Sequence, residues 1–222
     1  MGYTGHVEPG GPSAVRQLDD VVIRKASVSE QDNNAYLITC RATGYQLLID
    51  AADNAADLLA LVAQGSERGS RGLQVLTTHR HWDHHRALAE VAAATSAWTL
   101  GGVDDAEALP LAPHQVARHG DTLGVGELSL DVIALRGHTP GSIAVLLRAG
   151  DGSRHLFTGD SLFPGGPGKT TDPADFRSLM TDLERRVFGT LPDDTWVYPG
   201  HGDDTTLGAE RGSLPQWWAR GW

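Results

Sequence analysis

The segment Thr78-His79-Arg80-His81-Trp82-Asp83-His84 constrains this chain most, because it crowds imidazoles and a carboxylate directly behind the apolar run Leu73 to Thr77. Three later points repeat the arrangement with a glycine in front of the polar residue. Val132 to Leu135 leads to Gly137-His138, Leu156-Phe157-Thr158 leads to Gly159-Asp160, and Trp196-Val197-Tyr198 leads to Gly200-His201. Short apolar runs of this kind read as strands. Side chains at strand ends can converge on one edge of a sheet while the strands hold them rigid. Glycine at the later points predicts tight turns with an unusual backbone. Neutral imidazole and carboxylate suit zinc and other first-row ions, and a carboxylate can bridge two of them. Metal binding can lower the pKa of water to about 7, which supplies a nucleophile without serine or cysteine. The predicted metal residues are His79, His81, Asp83, His84, His138, Asp160 and His201.

The rest of the chain reads as alternating strands and helices. Val21-Val22-Ile23, Ala35 to Cys40 and Leu47 to Asp50 are strand-like, and Asp53 to Gln64 is helical with Asp53 or Asn54 as its cap. His84 to Ala94, rich in Ala, Leu and Glu, is expected to be a helix starting inside the histidine cluster. Glu127 to Leu135, Ser142 to Leu147, His155 to Thr158 and Trp196 to Tyr198 are the later strands. Asp175 to Phe188 places Phe176, Leu179, Met180, Leu183 and Val187 on one helical face. Intermixed elements of this kind predict sheets covered by helices in a layered α/β domain. With 222 residues, no linker and no repeat, the expectation is a flexible Gly/Pro-rich arm over residues 1–18 and a single domain over 19–222.

Bulk properties exclude several functions. Hydrophobic residues at 40% and charged residues at 21% describe a globular chain. A net charge of -10 argues against a nucleic-acid partner, and two divalent cations would offset part of it. The single cysteine, Cys40, excludes an internal disulfide framework and a Cys-rich zinc site, and its apolar setting predicts a buried small hydrophobe. Met1 to Pro12 lacks a signal-peptide pattern, and no apolar run approaches the ~20 residues that span a bilayer. A cytoplasmic protein with no membrane partner is expected. His6, His85, His114, His119 and His155 are read as ordinary surface or core residues, His85 being the one beside the cluster.

These residues resemble the metallo-β-lactamase fold superfamily, and within it the glyoxalase II-like (hydroxyacylglutathione hydrolase-like) branch. The signature is Thr78 to His84, flanked by Asp32-Asn33-Asn34-Ala35-Tyr36-Leu37-Ile38, Gly137-His138-Thr139-Pro140-Gly141-Ser142, Phe157-Thr158-Gly159-Asp160 and Pro199-Gly200-His201. The resemblance covers Val21 to His201 and implies a four-layer αββα sandwich with the metals at one edge of the two sheets. It further implies that His79, His81 and His138 hold a first ion, that Asp83, His84 and His201 hold a second, and that Asp160 bridges. Asp83 and Asp160 then act as ligands that position a bridging hydroxide. Two divalent ions are expected, zinc first, with iron or manganese as alternatives. The implied reaction is hydrolysis of a small-molecule thioester, whose thiolate leaves without a dedicated acid.

The substrate-facing segment departs from that branch. In Phe163-Pro164-Gly165-Gly166-Pro167-Gly168-Lys169-Thr170-Thr171, Lys169 matches the family's substrate-contacting lysine and is the candidate for an anionic group, but Thr171 stands where a tyrosine is expected. Asp203 stands where a second tyrosine is expected, and the short stretch after His201 leads to the expectation that the helical domain of that branch is missing. These departures weigh against a glutathione thioester and leave the carrier open, with mycothiol, coenzyme A and bacillithiol as alternatives. The alternative within the fold is a mononuclear-iron persulfide dioxygenase, whose Arg-Thr-Asp-Phe stretch is partly matched by Lys169-Thr170-Thr171-Asp172-Pro173. A β-lactamase-type enzyme and a non-catalytic scaffold rank lower. The tryptophan-rich tail Leu214 to Trp222 is expected to pack on the domain or across a homodimer interface rather than wall the substrate mouth.

Overall fold

The computed structural model describes residues 3–66 and 71–221. A first, seven-stranded sheet runs in sequence order through β1 (Ala14–Gln17), β2 (Val21–Ser27), β3 (Asn34–Cys40), β4 (Gln46–Ile49), β5 (Leu73–Thr77), β6 (Trp98–Gly102) and β7 (Gln115–Ala117). The second sheet contains β8 (Thr122–Val125), β9 (Leu128–Ala134), β10 (Ile143–Arg148) and β11 (Arg154–Gly159). A small ribbon of β12 (Leu162–Phe163) and β13 (Gly166–Pro167) intervenes before β14 (Trp196–Pro199) and β15 (Thr205–Thr206) complete the six strands. Helices α1 (Ala55–Gln64) and α2 (Leu88–Thr95) carry the chain between parallel strands β4, β5 and β6. Later come α3 (Pro173–Asp182), which continues as a π-helical turn over Leu183–Phe188, then α4 (Leu207–Arg211) and α5 (Leu214–Arg220).

Three apolar clusters among the described residues define the layers. One lies between the sheets and joins Val21, Ile23, Ile38, Leu47 and Leu76 to Leu130, Val132, Val145, Phe157 and Tyr198. A second packs the outer face of the first sheet, through Leu37, Leu48 and Val75, on Leu58, Leu61, Leu88 and Val91 of α1 and α2. The third packs Leu146, Leu156 and Val197 on Phe176, Leu179, Leu183 and Trp217. Strand β3 shows how one sequence serves two layers, since Tyr36 and Ile38 face the inner cluster while Ala35 and Leu37 face the outer one. The result is the expected αββα sandwich. Among the described residues no helix is long and apolar enough to cross a membrane.

Local differences from the sequence reading have physical causes. The helix expected from His84 begins only at Leu88, because Arg86 N–H and Ala87 N–H donate to the carbonyls of Ala52 and Ala51 rather than to the previous helical turn. Trp82–His84 is instead one turn of 3-10 helix. Strands β6 to β8 were not expected, since Trp98-Thr-Leu-Gly-Gly and Thr122-Leu-Gly-Val carry strand-weakening glycines. Gly102 is required there, because a Cβ would collide with the backbone of Gly141 in the turn that leads into β10. In the arm expected over residues 1–18, Ala14–Gln17 pairs with β2, and Tyr3 donates its hydroxyl to Asp204 at 2.7 Å. These residues lie against the domain rather than free of it; residues 1 and 2 lie outside the described residues. In the tail, Trp217 is buried against Phe188 and Trp218 donates to Glu184, whereas Trp222 lies outside the described residues.

Candidate metal centre

All seven predicted residues meet at one end of the two sheets. Strand β5 delivers His79, and the 3-10 turn behind it delivers His81, Asp83 and His84. Strands β9 and β11 both run antiparallel to β10, and β14 runs parallel to β11, so their carboxyl ends point the same way. They deliver His138, Asp160 and His201. Crevices beyond the carboxyl ends of strands are where α/β sheets gather ligand-binding side chains. The sheets are tied together here by Ile143 N–H to Thr78 O and Asn34 N–H to Gly200 O.

Two of the three glycines fit the expected turns: Gly137 has φ 143° and Gly159 has φ 49°. Gly200 does not adopt a positive φ. Its side chain is absent for space, because a Cβ would meet Asp160 Oδ1 and come 2.7 Å from the His84 ring.

The donor atoms form three groups, His79/His81/His138, His79/His84/Asp160 and Asp83/His84/His201, with the atoms of each group within 4.8 Å of one another. His79 Nε2 and His81 Nδ1 are 3.2 Å apart, as are the Nε2 atoms of His84 and His201. Asp160 Oδ1 lies 3.3 Å from His84 Nε2, while its Oδ2 lies 3.5 Å from both His138 Nε2 and His201 Nε2. Asp83 Oδ2 sits 3.4 Å from His201 Nε2 and 3.6 Å from His84 Nε2. Atoms held at roughly 2.0–2.2 Å around a tetrahedral ion are separated by roughly 3.3–3.6 Å.

The outward edges of the rings fix which nitrogens face inward. His84 Nδ1–H donates to Asp50 Oδ2 at 3.0 Å, His138 Nδ1–H to Lys169 O at 2.6 Å, and His201 Nδ1–H to Gln31 O at 2.9 Å. Each Nε2 is then the atom turned toward the cluster, where it offers a lone pair once the ring is neutral. On His84 an incoming ion would have to displace the proton that Asp160 and Asp50 favour. Two buried inward atoms, His138 Nε2 and Asp160 Oδ1, have no hydrogen-bond partner among the described residues. Buried polar atoms are rarely left so. The vacant lone pairs, the spacing and the donor chemistry fit divalent ions.

Electrostatics agree. Burial pushes His79 well below the usual histidine value and lowers His81, with neighbouring histidines adding to both shifts, so both stay neutral. Burial would also lower His84, yet the carboxylates of Asp160 and Asp50 outweigh it and push it up to about 10. Burial works against the charge on Asp160, but His84, His79 and His201 hold its carboxyl below the usual carboxylate range. Asp83 is likewise held low, burial being overcome by Asn33 and His84. The cluster thus attracts positive charge to its centre.

Three supporting residues have a role that the sequence did not assign, although Asn33 stands within the flanking signature. Asp50 accepts from the backbone and hydroxyl of Thr78 as well as from His84. Asn33 donates to Asp83 Oδ2 at 3.0 Å and bridges to His201 through the backbone. Asp105 accepts from Arg80 N–H, Thr139 Oγ1–H and Gly141 N–H, joining the loops of His79 and His138. Asp50 carried a signal, since it ends an apolar strand as the ligands do; Asp105 follows no such run. Lys169 places its carbonyl on His138 and its side chain on a neighbouring cleft. The other histidines stay outside the cluster: His155 bonds Tyr198 and Ser153, His114 bonds Thr99, His85 bonds Arg80 O and His6 bonds Asp203.

Comparison with known proteins matches the same stretch. The metallo-beta-lactamase superfamily model matches residues 29–201. A hydroxyacylglutathione hydrolase of Fuscovulum blasticum is 38% identical over 173 residues, covering 77% of this chain and 63% of the relative. One of Jannaschia sp. is 36% identical, covering 77% and 62%. The chain therefore spans under two thirds of the length of these relatives. Among solved structures, ETHE1 from Myxococcus xanthus is 34% identical with a TM-score of 0.72, covering 87% of this chain and 83% of that one. TTHA1623 in a di-iron-bound form is 31% identical with a TM-score of 0.70, covering 87% and 99%. Sheet order, strand-end ligands and the matched sequence together place the chain in the metallo-beta-lactamase superfamily.

Proposed function

We propose that the protein is a metal-dependent hydrolase of small acyl thioesters. The observation that carries this is the pair of complete donor triads, His79/His81/His138 and Asp83/His84/His201, with Asp160 between them. These would hold two divalent ions, zinc or iron by donor type; the di-iron form of the similar TTHA1623 supports a two-ion site that accepts iron. When bound, the ions would supply Lewis acidity and an acidified water. The chain's own part is orientation. Asp50, Gln31 O and Lys169 O hold three imidazoles in one tautomer, and Asn33 holds Asp83. Asp160 and Asp83 remain deprotonated and are engaged by neighbouring imidazoles, which leaves no free carboxylic acid in the cluster. A leaving group that needs no proton suits such a site, and a thiolate is one.

The similarity to hydroxyacylglutathione hydrolases supports the thioester class. The two positions where a carrier-binding tyrosine was expected are differently used. Thr171 donates to Asp175 at 2.6 Å, and Asp203 accepts from His6 at 2.6 Å. That difference supports a carrier other than glutathione. The persulfide dioxygenase reading needs one iron on two histidines and an aspartate. The completeness of the second triad weighs against it, as does Asp172, which caps α3 by accepting from Ala174 N–H and Asp175 N–H. Hydrolysis of S-lactoyl thioesters of several thiols tests the proposal. Turnover that disappears on chelation is expected; oxygen uptake on a persulfide with no thioester cleavage would replace it.

A further inference from the structure

The loop that carries His201 is gripped from two neighbouring strands. On β3, Tyr36 donates its hydroxyl to Pro199 O at 2.6 Å, and Asn34 Nδ2 donates to Pro199 O at 3.0 Å and to Gly202 O at 2.9 Å. On β2, directly across from Tyr36, stands Lys25, a fully buried cation. All three protons of its ammonium are used. Nζ donates to Gly202 O at 2.6 Å, to Asp204 Oδ1 at 2.7 Å and to Gly5 O at 2.6 Å. Two of these acceptors lie just past His201, and the third lies in the segment that precedes β1.

The Asp204 carboxylate closes the arrangement. Its Oδ2 accepts from Tyr3 Oη–H at 2.7 Å and from Trp196 Nε1–H at 2.8 Å, while its backbone N–H donates to Gly5 O at 3.3 Å. Both side chains of the Lys25–Asp204 pair are enclosed. Residues 3–5 thus form a strap laid against the chain just past His201. The fit is close: a Cβ on Gly5, whose φ is 82°, would come 2.7 Å from Asp204 Cβ. Desolvation cancels much of the attraction in a buried ion pair, so apolar side chains of similar volume would serve the core as well. They could not tie the Gly202 carbonyl to the strap. Tyr3, Gly5, Lys25 and Asp204 all fall outside the superfamily match over residues 29–201.

We propose that the buried Lys25–Asp204 pair is a positioning device for the second ion, at Asp83, His84 and His201. It fixes the Gly202 carbonyl, and with it the His201 backbone, against the strap. Binding of that ion then depends on residues from the opposite end of the sequence. The proposal rests on the two-ion reading above, and metal binding tests it without turnover. Chelator-stripped protein is titrated with zinc against a chromophoric chelator, His201→Ala marking the constant that belongs to the second ion. Lys25→Met should weaken that ion about 10–100-fold and leave the first within about twofold. Gly5→Ala keeps Lys25, Asp204 and every ligand but presses on Asp204, and should weaken the second ion by about fivefold. Leu58→Ala opens a cavity in the outer cluster and controls for lost packing; it should leave both constants unchanged. If Lys25→Met does not fold, Gly5→Ala decides. Two ions in the wild type with equal weakening of both in the variants, no weakening, or the same selective loss in Leu58→Ala would overturn the positioning role alone. A wild type that binds one ion would end the two-ion reading and this proposal with it.

Discussion

Strand β11 begins beside one buried titratable residue and ends beside another, and the two are held in opposite ways. His155, 1% exposed, bonds Tyr198 Oη at 2.9 Å and Ser153 Oγ at 2.8 Å, with Arg16 close by. Burial and the Arg16 charge push it down to about 4, so it stays a neutral, satisfied part of the inner core. Asp160, just past the other end, stays charged, keeps one oxygen without a hydrogen-bond partner and faces three histidines. Histidine and aspartate are thus not ligands by type. Position at the carboxyl end of the strands, with the outer ring edges already bonded, separates a metal centre from an ordinary core.

The sharpest way to break this comparison is at Asp160. Asp160→Asn keeps the volume but removes the charge facing His84, His138 and His201, and thioester turnover should fall by about a thousandfold. Steady-state kinetics on the folded variant check this; a loss under tenfold would show that Asp160 is no more functional than His155.

His155 should act on stability alone. Its pKa is depressed in the fold, so the unfolded chain binds more protons between pH 6.5 and pH 4. The stability it contributes is complete above pH 6.5 and is lost as pH falls toward 4, by at most about 3 kcal/mol. Urea denaturation of the wild type and His155→Gln across this window should give a shallower pH slope for the variant, with metal content unchanged. Equal slopes, or a variant that loses metal, would erase the distinction between the strand ends.

A smaller effect is expected one layer behind the ligands. Asp50→Asn leaves every donor in place but weakens the acceptor that orients His84, and should cost about 10–100-fold in metal affinity or turnover. Competition with a chromophoric chelator measures it. An unchanged affinity would mean that the ligand geometry is set by the backbone alone.

Much of this could be read in the sequence, for a physical reason. The ligands sit behind apolar runs whose strand character is local, and β5, for example, spans Leu73–Thr77 as expected. Layering followed from elements whose buried faces are continuous, such as Phe176, Leu179, Met180, Leu183 and Val187. What could not be read depends on distant chain. The delayed start of α2 comes from carbonyls of Ala51 and Ala52, and Gly200 is dictated by Asp160 and His84. Asn33 reaches Asp83 across 50 positions.

Metal stoichiometry tests the central claim most directly. Protein purified without added metal would be measured by plasma mass spectrometry beside His201→Ala, which removes a donor from only one triad. Near two ions per chain in the wild type and near one in the variant is the predicted result. One ion per chain in both would contradict a two-ion centre and move the protein toward mononuclear chemistry.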